Sequence, residues 1–545
     1  MEENKNENQS SKISNIKSIF SKPWIHWVLI LAIVAAAFFV RIHNIEITPA
    51  GIYPDESVNG VDALTAAETG NYKLFYTNNY GREGLFMNLI SISTRIFGNT
   101  VLGLRIWSVI FGTLTVFGIF LLAKELFRSY RSGLIAAYLL AFSFWAMNFS
   151  RISFRAIMLP FVLTFSFYFL FKALHTKRYL YFAAAGAFFG LGLHTYIAFR
   201  VAPLILVFIF LALLITYKNF LKFHWREILV FLTFIIIVAS PMLVDFYLHP
   251  DHFSSRTGAV SVLNPQVNHG HLLTMLSKNI GLSIVKYTFY GDQNWRHNYP
   301  PYPVLDPITG LAFLFGLIYV IAKIFHLGYL RFRHNVRDEK FVIYIFLIGW
   351  FLTMLIPEFL SSEGLPHTLR SIGTMPNAII IATIPFLWLL GKKDKFGHFF
   401  KVSVVSILVL LLGFVGIFNT AKYFIFWANN PKQHGAFTEN LKNIGLYLNS
   451  LPSNVNKYII PNGGGKTMED GLPVTAEVIK YLTYKKSNPV FLNPDSIIKP
   501  PMVIVMMNYD QKIIDRVKMF YSQAEVKKID LNPGYWMGFS VIEIK

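Results

Sequence analysis

Tyr53-Pro54-Asp55-Glu56 places two adjacent carboxylates in the first polar stretch after the first long apolar run. Acidic residues that follow a proline and open a helix sit in the positive field of its N-terminal N–H groups, which keeps a carboxylate ionised. Such a group serves either as a first-turn charge partner of the helix or as a base that takes a proton from a hydroxyl or amine. The same polar stretch also holds Gly81-Arg82-Glu83-Gly84. A second set of charges lies at the ends of apolar runs: Arg41, Arg105, Arg151, Arg155, His194, Arg200 and Arg370. Charge at membrane depth is costly, so each must pair, snorkel to the interface or hold an anion. For the set as a whole, an anionic ligand such as a lipid phosphate is expected, because forked guanidinium groups match it.

The elements that position these residues are membrane helices. Of the 545 residues, 54% are hydrophobic and only 15% charged, against roughly a quarter charged in soluble domains. A span needs roughly 20 apolar residues. Candidates are 24–42, 101–123, 132–149, 156–174, 179–196, 198–217, 228–247, 308–327, 341–357, 372–390 and 402–421. The reading is therefore a polytopic α-helical membrane protein of about eleven spans. The formal charge of +20 falls in short Lys/Arg clusters between apolar runs, which sets orientation and offers no nucleic-acid groove reader. Every second loop is rich in Lys and Arg, starting with Lys124, Arg128 and Arg131. That places residues 1–23 in the cytoplasm as a tail. The loops 43–100 and 248–307 and the C-terminal region are then outside, in a plasma membrane. The absence of cysteine excludes disulfides, thiolate metal sites and thiol nucleophiles.

Within the first outer loop, 85–97 repeats Leu85, Leu89, Ile92 and Ile96 at helical spacing, as an interfacial helix would. Residues 57–69 show the pattern more weakly. From about 422 to 545 the composition turns mixed and polar. Helices are expected at 436–450 and 511–521, and strands at Lys457–Ile460, Val503–Met507, Glu525–Ile529 and Phe539–Ile544. This is a small extracytoplasmic α/β domain after a 24–421 membrane domain. Asn462-Gly463-Gly464-Gly465-Lys466-Thr467 lacks the leading glycine of a phosphate loop and reads as a solvated turn.

Several of these motifs together resemble one family. Tyr53-Pro54-Asp55-Glu56, Gly81-Arg82-Glu83-Gly84-Leu85 and Phe149-Ser150-Arg151-Ile152-Ser153-Phe154-Arg155 are similar to the protein O-mannosyltransferase-like membrane glycosyltransferases. That is glycosyltransferase family 39, of the GT-C fold, which includes the lipid A aminoarabinose transferases. His194–Arg200, Gly291–Asn298, Leu305-Asp306-Pro307 and His367–Gly373 resemble bacterial members. The resemblance implies a polyprenyl-phosphate-linked sugar donor, a protein, lipid or glycan acceptor, and inverting transfer on the outer face. Carried over by motif, Asp55 is the base, with Glu56 beside it. Arg370, Arg82, Arg155 and Arg200 hold the donor phosphate. Glu83, Arg151, His194, Tyr196, Arg296 and His297 position substrates. The family often carries Pro where this chain has Gly84. No His/carboxylate spacing is diagnostic of a metal or other cofactor; a divalent ion, if bound, would fall to Glu56 or Glu83 with His297. The competing class is a transporter or flippase for a lipid-linked or anionic substrate. Pro160, Pro203 and Pro241 do interrupt spans, but the polar groups cluster at one surface and no internal repeat accompanies them.

Overall fold

The structure, a computed structural model, describes residues 23–254, 261–362, 364–392, 398–492, 499–529 and 538–544. Nearly all of the expected N-terminal tail, residues 1–22, lies outside that set. Among the described residues, nine helices are long and apolar enough to cross a bilayer. The other two expected spans are helical but shorter. Tyr130–Phe142 stops at Ser143, whose extended backbone starts a second short helix, Phe144–Phe149. Tyr179–Leu191 passes into a 3-10 turn at Gly192–His194. Thirteen helical residues rise only about 20 Å, short of the roughly 30 Å hydrocarbon core. These two pieces therefore lean on their longer neighbours, Val101–Phe127 and Phe220–Leu248. The last span continues through a wide turn at Lys422–Trp427, beyond the expected end at 421.

The helix at Leu85–Phe97 forms where the spacing predicts it. Its apolar surface is broader than expected, however. Phe86, Met87 and Ile90 are fully buried, while Ile92 and Ile96 stay exposed. One flank thus packs on the protein and leaves the other for the interface. Ser91, Ser93 and Thr94 can be buried because each hydroxyl donates to a helix carbonyl. Just before it, strands β1 (Phe75–Tyr76) and β2 (Arg82–Glu83) form a two-residue antiparallel ladder. Gly84 closes that ladder, its N–H donating to Leu74 O at 2.6 Å. A Cβ there would lie 2.1 Å from Lys73 O. A proline would lose the donor as well as collide.

The C-terminal region is a five-stranded sheet comprising β3 (Asn456–Ile460), β4 (Val490–Phe491), β5 (Met502–Met506), β6 (Glu525–Ile529) and β7 (Phe539–Ile544). Its order is β4-β3-β5-β7-β6, parallel through β4, β3 and β5 and antiparallel at β7 and β6. The expected helices appear at Glu439–Ser450 and Gln511–Phe520, and a further one at Ala476–Thr483 packs on the Pro54–Thr69 helix. Gly60 makes that approach possible, since a Cβ would sit 2.5 Å from the Tyr481 ring. Lys442 donates to Glu46 O and Ala50 O at 2.7 and 2.9 Å, and Thr438 to Ile52 O at 2.8 Å. The small domain thus clamps the loop that carries Asp55.

Candidate functional site

Pro54 opens the Pro54–Thr69 helix with Asp55 in its first turn. Asn79, from the β1–β2 turn, donates to Asp55 Oδ1 at 2.8 Å. The carboxylate faces a small cleft of about 40 Å³, shared with Asn59, Asn79, Arg82, Arg155 and Tyr196, with Phe154, Ala156 and Leu369 along its sides. Asp55 and two guanidinium groups therefore border one space.

Both guanidinium groups are held from behind. Arg82 is buried, pairs with Asp62, and donates to Asn59 Oδ1 at 2.6 Å and Asn78 O at 3.2 Å. Asp55, Asn59 and Asp62 recur at i, i+4 and i+7, which sets them on one face of the helix. Arg155 Nε donates to Glu83 Oε2 at 2.6 Å and its guanidinium lies 5.4 Å from the Tyr196 ring centre. Glu83 also has Arg200 at 3.8 Å. Burial would raise the Glu83 carboxyl, but Arg155 and then Arg200 outweigh it, and the net shift is downward. Arg200 itself donates to Phe253 O and lies against the rings of Phe253 and Phe246.

Other expected site residues lie elsewhere. Glu56 does not line the cleft. Fully buried, it takes both Nε and Nη2 of Arg105 at 2.9 Å, together with the N–H of Tyr53 at 3.0 Å and of Ser153 at 2.7 Å. Arg151 donates to four carbonyls, of Val40, Arg41, His43 and Thr48, at 2.7–2.9 Å, beneath Tyr423 and Phe424. Arg41 binds Ala37 O and Ala141 O at 3.0 Å and Ser150 Oγ at 3.1 Å. His194 Nε2 meets Val238 O at 2.8 Å. The last carbonyls of a helix lack intrahelical partners. Arg151 binds those at the end of Pro23–Ile42, so it supports the backbone and does not touch the cleft.

A second cluster comes from the long loop. Asp292 Oδ2 accepts from Thr368 N and Oγ1 at 2.8 and 2.9 Å and meets His297 Nδ1 at 3.2 Å, while Oδ1 takes Asn294 N at 2.8 Å. Burial would raise this carboxyl, but His297, His367 and the Thr368 N–H together bring it down to about 2. Burial and the neighbouring His297 push His367 well below its ordinary value, and its buried Nδ1 has no hydrogen-bond partner among the described residues. One ligand atom from each of Asp292, His297 and His367 lies within 4.8 Å of the others. This donor set suits a divalent cation better than the expected pairing of Glu56 or Glu83 with His297, because both glutamates are already held by arginines. Arg296 covers the Tyr53 ring at 4.0 Å, next to Asp55. Leu369 lines the cleft and Arg370 follows it, half-buried. The buried Lys286–Glu358 pair anchors this segment from below through Ser371 Oγ (2.7 Å from Lys286 Nζ) and His367 N–H (2.9 Å from Glu358 Oε1). Asn59, Asp62, Asn79, Asp292 and His367 were not singled out from sequence as site residues. Asn59 and Asp62 carried a local signal in their spacing from Asp55, and Asp292 and His367 lay within motifs already noted, at Gly291–Asn298 and His367–Gly373.

Residues 85–244 match the family described as dolichyl-phosphate-mannose-protein mannosyltransferase. The archaeal oligosaccharyltransferase AglB from Archaeoglobus fulgidus, solved with an inhibitory peptide and a dolichol-phosphate, superposes with a TM-score of 0.53 at 14% identity. The alignment covers 87% of this chain and 65% of that one. ArnT from Cupriavidus metallidurans, bound to undecaprenyl phosphate, gives 0.52 at 13% identity, over 95% of this chain and 97% of that one. The fold is of the GT-C type. The apo form of that ArnT gives the same TM-score at 12% identity. A comparison with curated protein sequences returns no match. In this GT-C framework the Asp55 loop, the Arg155 segment and the 367–370 segment converge at one end of a multi-pass membrane bundle.

Proposed function

We propose that the chain is a membrane glycosyltransferase that moves a sugar from a polyprenyl-phosphate-linked donor to an acceptor hydroxyl or amine on the outer face. The observation that carries this reading is the single cleft bordered by the Asp55 carboxylate and the guanidinium groups of Arg82 and Arg155. The ligands named in the structures of the two GT-C neighbours, dolichol-phosphate and undecaprenyl phosphate, are of the chemistry those cations would hold. A protein, lipid or glycan acceptor is what the family resemblance implies.

In the step itself, the acceptor oxygen or nitrogen attacks the sugar C1 as the bond from C1 to the phosphate oxygen breaks. Asp55 takes the acceptor proton, and the electron pair leaves with the lipid phosphate. The phosphate departs as an anion without help from an acid, so fixed positive charge is what the site must supply. Arg82 and Arg155 do this, with Arg370 and Arg200 at the margins. Asn79 holds one carboxylate oxygen and leaves the other for the acceptor. One base and no covalent intermediate give inversion at C1. At about 40 Å³ the cleft is small, so the sugar lies across its mouth, beside Tyr196 and Leu369. If Asp292, His297 and His367 hold a divalent ion, it braces the 367–370 segment.

The test uses purified protein in detergent with radiolabelled polyprenyl-phosphate hexose and candidate acceptors added one at a time. Label should leave the carrier only with the right acceptor, and Arg155→Ala should slow that transfer by at least tenfold, about 1.4 kcal/mol of lost transition-state stabilisation. Equal rates for the variant and the parent would contradict the reading.

A further inference from the structure

The end of the bundle opposite the Asp55 cleft holds a second cavity. The Met158–Thr176 helix starts beside the cleft and rises away from it over 19 residues, about 28 Å. Where it ends, the chamber between the helix termini has a volume of about 670 Å³. Arg128, Lys177, Lys218 and Arg337 line it, against two carboxylates, Glu227 and Glu339. The carboxylates are largely committed. Glu339 contacts His175, which also meets Glu125 at 2.5 Å, and lies 3.6 Å from Arg128; Glu227 is 3.7 Å from His224. Among the described residues, Lys177, Lys218 and Arg337 have no carboxylate within ion-pair distance.

The chamber adjoins an apolar slot of about 390 Å³ between the Met158–Thr176, Tyr179–Leu191, Pro203–Thr216 and Phe220–Leu248 helices. Leu174, Leu213, Phe220 and His224 belong to both spaces. Farther along, Phe182, Ile209 and Phe231 form its walls, and the half-exposed Val207 stands at its edge. An inorganic anion would use the chamber and leave the slot empty. A neutral lipid would fill the slot and leave the cations unmatched. The positive-inside bias explains charge at this end, but not a cavity walled by it and flanked by an apolar slot.

We propose that this is a binding site for one anionic membrane phospholipid, with its phosphate among Lys177, Lys218 and Arg337 and an acyl chain in the slot. Basic pockets between spans are where anionic headgroups are held. The site is separate from the donor cleft and does not depend on the transferase reading.

Native mass spectrometry of the full chain in detergent tests it, with phosphatidylglycerol, phosphatidylcholine or undecaprenyl phosphate added. The parent protein should retain one phosphatidylglycerol and no phosphatidylcholine. Lys177→Gln/Lys218→Gln should weaken that retention by roughly tenfold or more, and Val207→Trp should weaken it by obstructing the slot, both with an unchanged melting temperature before lipid is added. Equal retention of the two phospholipids, or undiminished retention by both variants, would overturn the proposal. Displacement of phosphatidylglycerol by equimolar undecaprenyl phosphate would also overturn it, assigning the cavity to the carrier lipid.

Discussion

Glu56→Gln separates two neighbouring carboxylates that look equivalent in sequence. Each Glu56 oxygen accepts one backbone N–H and one guanidinium N–H: Oε1 from Tyr53 and Arg105, Oε2 from Ser153 and Arg105. An amide turns one of those oxygens into a donor facing two donors, whichever way it is oriented, and leaves a buried guanidinium without its counter-charge. Removing one partner of a buried ion pair costs about 3–5 kcal/mol. For a chain of this size that is a fall in Tm on the order of 3–4 °C. The loss is local as well, since Arg105 also donates to Gly51 O at 2.7 Å and so fixes the turn into the Asp55 helix. The assay is thermal unfolding of purified variants in one detergent, beside Asp55→Asn, whose half-buried side chain has a single hydrogen bond among those described. Glu56→Gln should melt early and Asp55→Asn within about 1 °C of the parent, as for ordinary solvent-facing changes. A Glu56→Gln protein with the parental Tm but no transfer would refute the structural role assigned to it.

Asn79→Ala removes the donor that orients Asp55. It should lower kcat with little change in donor KM, a split that steady-state kinetics reads directly; a pure KM effect would argue against orientation. Burial raises Glu477, on the helix that packs against Pro54–Thr69, to about 7 despite the opposing pull of Lys480. A carboxyl raised in the folded state favours folding below its unfolded value near 4.5 and loses that advantage as pH rises through about 7. The difference is at most about 3 kcal/mol. Glu477→Gln should therefore raise the Tm at pH 8 and leave it unchanged at pH 4, as melting curves at the two pH values would show.

How far the sequence could be read follows from what each signal reports. Apolar run length answers to bilayer thickness, so the spans were legible, and 85–97 ended at the residues expected. The break at Ser143 was not, because the apolar run continues through Phe144-Trp145 and only the backbone turns. The arginines at helix ends divide in the structure: Arg155 lines the cleft, while Arg41 and Arg151 bind backbone carbonyls. A helix carbonyl and a lipid phosphate offer the same kind of oxygen, so Arg41 and Arg151 look like anion ligands until their carbonyl partners are visible. The face formed by Asp55, Asn59 and Asp62 was available from spacing. Asp292 and His367 stand far apart in the chain and meet only through the fold, by way of Thr368. In the C-terminal domain, strand alternation revealed the sheet, while Ala476–Thr483, only 8 residues long, is too brief for its periodicity to stand out.

The central claim is that Asp55 accepts the acceptor's proton while arginines hold the departing lipid phosphate. Single-turnover transfer by Asp55→Asn, with donor binding measured on the same preparation, tests it most directly. The account predicts that donor affinity stays within about twofold, a shift of roughly 0.4 kcal/mol, while transfer falls by about 10²–10⁴. Transfer near the parental rate, or loss of donor binding in parallel with loss of transfer, would contradict it.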